Sequence, residues 1–158
     1  MKGIFGFPFL LLMIAGLIAC SKETVKEEDV LKLVNDYKTV QYNIKDSSNP
    51  PTGIEIGEKV KRFFSKEGFD RQMANQVFQI GPDIAKKTNK SIKFENIKLE
   101  KTKENKNGEI NYSYTLKLKF YDASSTEFVE KKGQLTIKGL KITRDWEERI
   151  TKIGNEVF

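Results

Sequence analysis

From residue 89 onward the apolar residues of this 158-residue chain change their spacing, and that change constrains the fold more than composition does. Before it they recur every three or four positions. Val30, Leu33, Val34, Tyr37, Val40, Gln41 and Ile44 fall on one face of a helix of about four turns starting near Asp29. Asp29 is a candidate N-cap, and Glu27-Glu28 suits a helix start. Ser47 to Gly53 is a loop by composition. A second periodic segment holds Ile56, Val60, Phe63 and Phe64, and a third holds Phe69, Met73, Val77 and Ile80. Gly81-Pro82 is expected to stop or kink the third helix.

Beyond Asn89 the period is two. Ile92 and Phe94 alternate, then Ile97 and Leu99, with the parity shifted between the pairs; such a shift marks a β-bulge and a bent strand. Asn107-Gly108 is a hairpin turn signal. Ile110, Tyr112, Tyr114, Leu116, Leu118 and Phe120 then alternate with polar residues, the pattern of a strand with one buried and one wet face. Asp122 to Thr126 reads as a turn. Phe128 to Lys138 reads as a third strand with a turn or bulge at Gly133, and Lys141 to about Trp146 as a fourth. Trp146, Ile150 and Ile153 also share one helical face, so the end of the chain has two readings. Helices followed by antiparallel strands predict an α+β fold: three N-terminal helices packed on a curved four-stranded antiparallel sheet.

The first 19 residues belong to neither pattern. Met1-Lys2 is a charged start, residues 4–14 are apolar, and small residues follow, as in a secretory signal peptide. The segment is at the lower limit for a bilayer-spanning helix, and Pro8 argues against one. The only cysteine, Cys20, stands where apolar sequence becomes polar. Leu17-Ile18-Ala19-Cys20 resembles the lipobox of bacterial lipoproteins, and the closing segment at 133–148 resembles the last hairpin of small Gram-positive ones. The resemblance implies diacylglycerol on the Cys20 thiol and cleavage after Ala19, with Leu17, Ile18 and Ala19 recognised by the signal peptidase. Two acyl chains anchor firmly where one does not. The expected organisation is a signal peptide at 1–19, a tether at 20–28 and one α+β domain at 29–158, on the extracytoplasmic face of the cell membrane.

The order of elements resembles the nuclear-transport-factor-2-like (cystatin-like) superfamily. The carriers are the long first helix, "FFSKEGFDRQMANQVF" at 63–78, the bent hairpin at 91–121 and "GQLTIKGLKITRDWEE" at 133–148. The resemblance implies a sheet wrapped around the first helix, leaving a cone-shaped pocket, and homodimers are common among relatives. Some members are isomerases, dehydratases or cyclases, many are non-catalytic, and the fold does not choose among them.

Composition narrows the chemistry. There is no histidine, and Cys20, if acylated, leaves no thiol, so a Cys/His metal site and the commonest general base are absent. No phosphate loop, Ser/His/Asp set or carboxylate metal cluster is visible, and no cofactor is implied. Loss of Lys2 with the leader leaves 27 basic against 22 acidic residues, a net charge near +5. The export signal and the lack of an Arg/aromatic cluster speak against nucleic acid. Lys117 and Lys119, on the wet strand face, read either as solvated or as contacts for anionic polymer or lipid headgroups. Asp36 and Asp46, placed on the first helix off its apolar face, read as solvated. Tyr37, Tyr112, Tyr114, Phe120 and Trp146 read either as core or as the lining of a pocket for an apolar or aromatic ligand; inward strand positions read as aromatic and aliphatic, not acidic. The expected function is non-catalytic: an anchored domain that binds a small ligand or an envelope protein. The alternatives are an isomerase- or dehydratase-type enzyme using a carboxylate or Tyr in the cone, and a structural subunit of an envelope assembly.

Overall fold

The computed structural model describes residues 25–158; Leu17, Ile18, Ala19 and Cys20 lie outside the described residues. Helix α1 spans Glu27–Tyr42 and is buried along Val30, Val34, Tyr37, Lys38, Gln41 and Tyr42. Its N-cap is Lys26, without a side-chain cap bond, and Asp29 sits in the first turn with Glu27 and Glu28. There these acids face the positive end of the helix dipole. The helix stops at Tyr42. Ile44 instead forms an isolated bridge to Ile92, and Asp46 lies in the following loop, accepting from the backbone N–H groups of Ser48 (2.9 Å) and Asn49 (3.2 Å).

Helix α2, Gly53–Val60, starts with a capping box. Thr52 Oγ1 accepts from the Glu55 N–H, and the Glu55 carboxylate accepts from the Thr52 N–H at 2.7 Å. Ser65 caps α3, Lys66–Ala74. The third periodic segment then divides. Gln76 adopts φ 53°, a 3₁₀ turn covers Val77–Gln79, and α4 runs from Ile80 to Thr88. Gly81-Pro82 opens a helix where a stop was expected. A proline in the first turn needs no N–H partner, so the residue that breaks a helix interior is tolerated there.

Four strands follow: β1 Ser91–Glu104, β2 Glu109–Tyr121, β3 Thr126–Lys138 and β4 Lys141–Glu147. They form one antiparallel sheet in chain order, and a small hairpin of β5 (Lys152–Ile153) and β6 (Glu156–Val157) closes the chain. The β1–β2 register shifts between Phe94 and Asn96, where the apolar parity breaks. Gly108, at φ 81°, serves the turn between them.

Gly133 is neither a turn nor a bulge. It lies in the middle of β3, opposite Tyr114, and a Cβ there would overlap the Tyr114 ring. The bulge falls later: Ile137 pairs with Ile142 but Thr136 with Arg144, so Thr143 is the extra residue.

The inner sheet face packs on α1. Val30, Val34 and Tyr37 meet Leu116, Leu118, Phe120, Leu135 and Ile137 in one buried cluster. Phe63, Phe64, Phe69 and Phe78 extend this core under the short helices, with Tyr37 edge-on to Phe64 at 5.0 Å between centroids. Among the described residues, no helix is long and apolar enough to cross a membrane.

Candidate functional site

Inside the cone is a polar cluster between α1 and the β3–β4 end of the sheet. Lys38 follows Tyr37 on α1 and is fully buried. Its ammonium donates to Asp145 Oδ2 (2.7 Å), to Gln41 Oε1 (3.1 Å) and to Glu147 Oε1. Asp145 also accepts from the Tyr37 hydroxyl (2.8 Å) and the Tyr114 hydroxyl (2.7 Å). Glu147 Oε2 accepts from Tyr42 and from Lys131 (2.5 Å), whose ammonium also reaches Tyr42 Oη at 3.0 Å. Two cations thus meet two carboxylates, and each carboxylate oxygen has a donor. Gln72 of α3 holds β4 from the other side, donating to the Asp145 carbonyl at 2.8 Å.

Burial would push the Glu147 carboxyl up, but Lys38 and Lys131 outweigh it and hold it well below the usual carboxylate range. Burial pulls the Lys38 ammonium down, and the charges of Asp145 and Glu147 more than offset this, leaving it raised. Burial, then the same two carboxylates, pushes the Tyr37 and Tyr114 phenols well above their ordinary values. Tyr42 is raised by burial and by Glu147. These shifts all lead away from neutrality, whereas acid–base catalysis works best with groups near the operating pH.

Of the aromatic residues read from the sequence as core or pocket, Tyr37 and Tyr114 are brought together on Asp145. Tyr112 and Phe120 are buried on the same face of β2, and Tyr112 borders a hollow of about 330 Å³ beside Glu27 and Leu31 of α1. Trp146 stands on the opposite sheet face, 52% exposed. The inward acids Asp145 and Glu147 correct the expectation that inward strand positions carry none. Among the described residues, no group of three or more His, Cys, Asp or Glu side chains is placed to hold a metal.

A groove of about 630 Å³ crosses the outer sheet face between Lys98 and Glu100 of β1 and Trp146, over Thr115, Lys132 and Gln134. On the helical side, a hollow of about 260 Å³ is lined by Ile54, Met73, Gln76 and Phe78, with Ile54 68% exposed.

No protein-family model matches the chain, and no curated protein matches it. Several solved structures do. One, described as the transfer protein TraH of the Gram-positive conjugative plasmid pIP501, superposes with a TM-score of 0.55 at 16% identity, covering 82% of this chain and 99% of that one. An IcmL-like type IV secretion system protein of Legionella pneumophila gives 0.55 at 11% identity, covering 83% and 98%. The periplasmic domain of DotI gives 0.54 at 12% identity, covering 82% and 99%. At such identities the likeness is one of fold: the chain has the α+β nuclear-transport-factor-2-like architecture.

Proposed function

We propose that this chain is a lipid-anchored, extracytoplasmic, non-catalytic subunit of an envelope assembly of the conjugation or type IV secretion kind. The observation that carries the non-catalytic reading is the closed cluster in the cone. Every oxygen of Asp145 and Glu147 already accepts a hydrogen bond, Lys38 spends all three donors within the fold, and the shifted groups move away from neutral pH. An inward Asp beside two tyrosines meets one structural condition for the isomerase alternative. Its two oxygens, however, are already taken by a buried ammonium and by two phenols that hold their protons tightly.

The cluster ties together three strands and two helices, so it reads as the device that sets β4 against α1. Recognition then falls to the outside. The hollow around Ile54 and Met73 is apolar and open, as a protein contact requires. The matching of envelope-transfer proteins along nearly their whole length supports the assembly class. Anchoring rests on Leu17-Ile18-Ala19-Cys20, where the thiol can be alkylated and Ala19 is small enough for the protease site.

The test compares wild type with Cys20→Ala in a bacterial host that processes lipoproteins, by intact mass and membrane fractionation, with a photo-crosslinker at Ile54. The expected wild type begins at a diacylated Cys20, sits in the membrane fraction and gives discrete adducts with envelope proteins in its native cells. Retention of residues 1–19 by both forms, with identical fractionation, would sink the anchor. An uncrosslinked monomer in native membranes would sink the assembly reading.

A further inference from the structure

The outer face of the sheet carries a charge pattern that packing does not explain. Strand alternation and register place Lys98 and Lys103 of β1, Lys117 and Lys119 of β2, Lys132 of β3 and Arg144 of β4 on it. Among the described residues, none of these six has a carboxylate at ion-pair distance, although Lys32, Lys66, Lys90 and Lys101 elsewhere do. Five carboxylates, Glu95, Glu100, Glu109, Glu130 and Glu148, lie on or beside the face, Glu95 paired with Lys93 of the same face at 3.1 Å, against nine cations once Lys93, Lys138 and Lys141 are counted with the six. Lys117 and Lys119 rest instead over aromatic rings, 4.6 Å from the Phe128 centroid and 5.2 Å from that of Tyr121. Phe128 and Trp146 stand among these cations, each 52% exposed. Unpaired cations with exposed aromatic residues are the composition of a surface that meets lipid headgroups, where an aromatic ring sits at the interface and lysine meets anionic phosphate.

The route of the chain supplies the occupant. Helix α1 begins at Glu27, beside Lys98 and Lys101 of the edge strand β1. Between Cys20 and that helix lie six residues, which span at most about 20 Å. A chain anchored at Cys20 therefore keeps the start of α1, and the β1 edge beside it, within about 20 Å of the bilayer. The same charge opposes a second copy of the chain stacking face to face. We infer that the outer sheet face is a docking surface for an anionic phospholipid leaflet, seating the domain sheet-down with its helical side, including Ile54, directed away from the membrane. The orientation rests on the anchor reading, while the lipid contact itself does not.

The experiment uses the chain from residue 20 with Cys20→Ala, which holds every element of the fold and no acyl group. It is mixed with vesicles of phosphatidylcholine alone, or with about a third phosphatidylglycerol. Trp146 is the only tryptophan, so its emission reports this face directly. Expected are co-sedimentation and a blue shift with anionic vesicles only, weakening as salt rises. Lys98→Glu with Lys132→Glu should weaken binding about tenfold or more, roughly one headgroup contact per lysine. Lys59→Glu with Lys86→Glu, exposed on helices α2 and α4, should change it less than about twofold. The inference is overturned by failure to bind anionic vesicles, by equal binding to neutral ones, or by equal losses in the two variants. Binding to soluble polyglutamate or single-stranded DNA without vesicle binding also overturns it and gives the face to a polymer. If Cys20 proves unprocessed yet this chain binds anionic vesicles, the anchor reading falls and the surface stands; an acylated Cys20 with no vesicle binding means the reverse.

Discussion

Lys38 occupies a helical position between Val34 and Tyr42, four residues from each, where an apolar side chain is the ordinary occupant. It is retained there fully buried because each ammonium proton has a partner and two carboxylates balance it. A buried pair of this kind contributes little net stability, since desolvation consumes most of the attraction, but breaking it is costly. Lys38→Met should therefore lower unfolding stability by about 3–5 kcal/mol, because it leaves Asp145 and Glu147 facing one another with Lys131 alone. Adding Asp145→Asn should recover about 1 kcal/mol or more, since it removes the uncompensated charge. Urea unfolding of the two variants checks both values; a single-variant loss under about 1 kcal/mol would mean the lysine is solvated. The apolar stripe read from the sequence passed over it, although Lys38 lies four residues after Val34 and three before Gln41. The carboxylates that make a lysine there tolerable are more than 100 residues away in the chain.

At the scale of elements, one residue decides which side chains enter the cone. Strict alternation from the buried Ile142 sends Trp146 inward and Asp145 outward. The bulge at Thr143 reverses this, so that Asp145 is buried and Trp146 exposed. The bulge near Glu95 was readable because apolar residues on both sides of it broke parity. The shift between Lys101 and Lys103 and the bulge at Thr143 were not, because the polar runs Lys101-Thr102-Lys103 and Thr143-Arg144-Asp145 have no apolar residue to register the break. Two features of β3 did carry a signal. Lys131 lies on the inward parity of Leu135 and Ile137, which calls for a buried acid nearby, and Gly133 lies between them. Gly133 leaves room for the Tyr114 ring, whose hydroxyl reaches Asp145. Gly133→Ala should push that ring aside, cost about 1–3 kcal/mol of overpacking and lower the melting temperature. An unchanged melting temperature would show that β3 yields more readily than its place in the middle of the sheet implies. The helices were legible by period, and their division at Gln76 was not: a non-glycine residue at φ 53° leaves no mark in hydrophobic spacing.

For the whole molecule, the cluster predicts how stability responds to pH. Glu147 is depressed in the folded state, so its contribution is complete above the ordinary glutamate value of about 4.3 and is lost as pH falls below it. Lys38 is raised, so its contribution is complete below about 10.4 and is lost as pH rises through its folded value. Tyr37, Tyr42 and Tyr114 are raised as well. The unfolded chain ionises these phenols near pH 10 while the folded one resists, and stability falls there too. The chain has no histidine, the side chain whose ordinary value falls between these limits. The expected profile is a plateau from about pH 5 to 9.5 with a falling limb on each side, read from urea midpoints across that range. Glu147→Gln lowers the plateau and flattens the acid limb, because the group that must be protonated is gone. A step between about pH 6 and 8, or an acid limb unchanged in Glu147→Gln, would place the controlling ionisation outside the cone. Such a plateau would suit the extracytoplasmic position proposed above, where local pH is less tightly controlled. It would leave lipid contact on the sheet face, governed by salt and headgroup charge, as the adjustable property of the molecule.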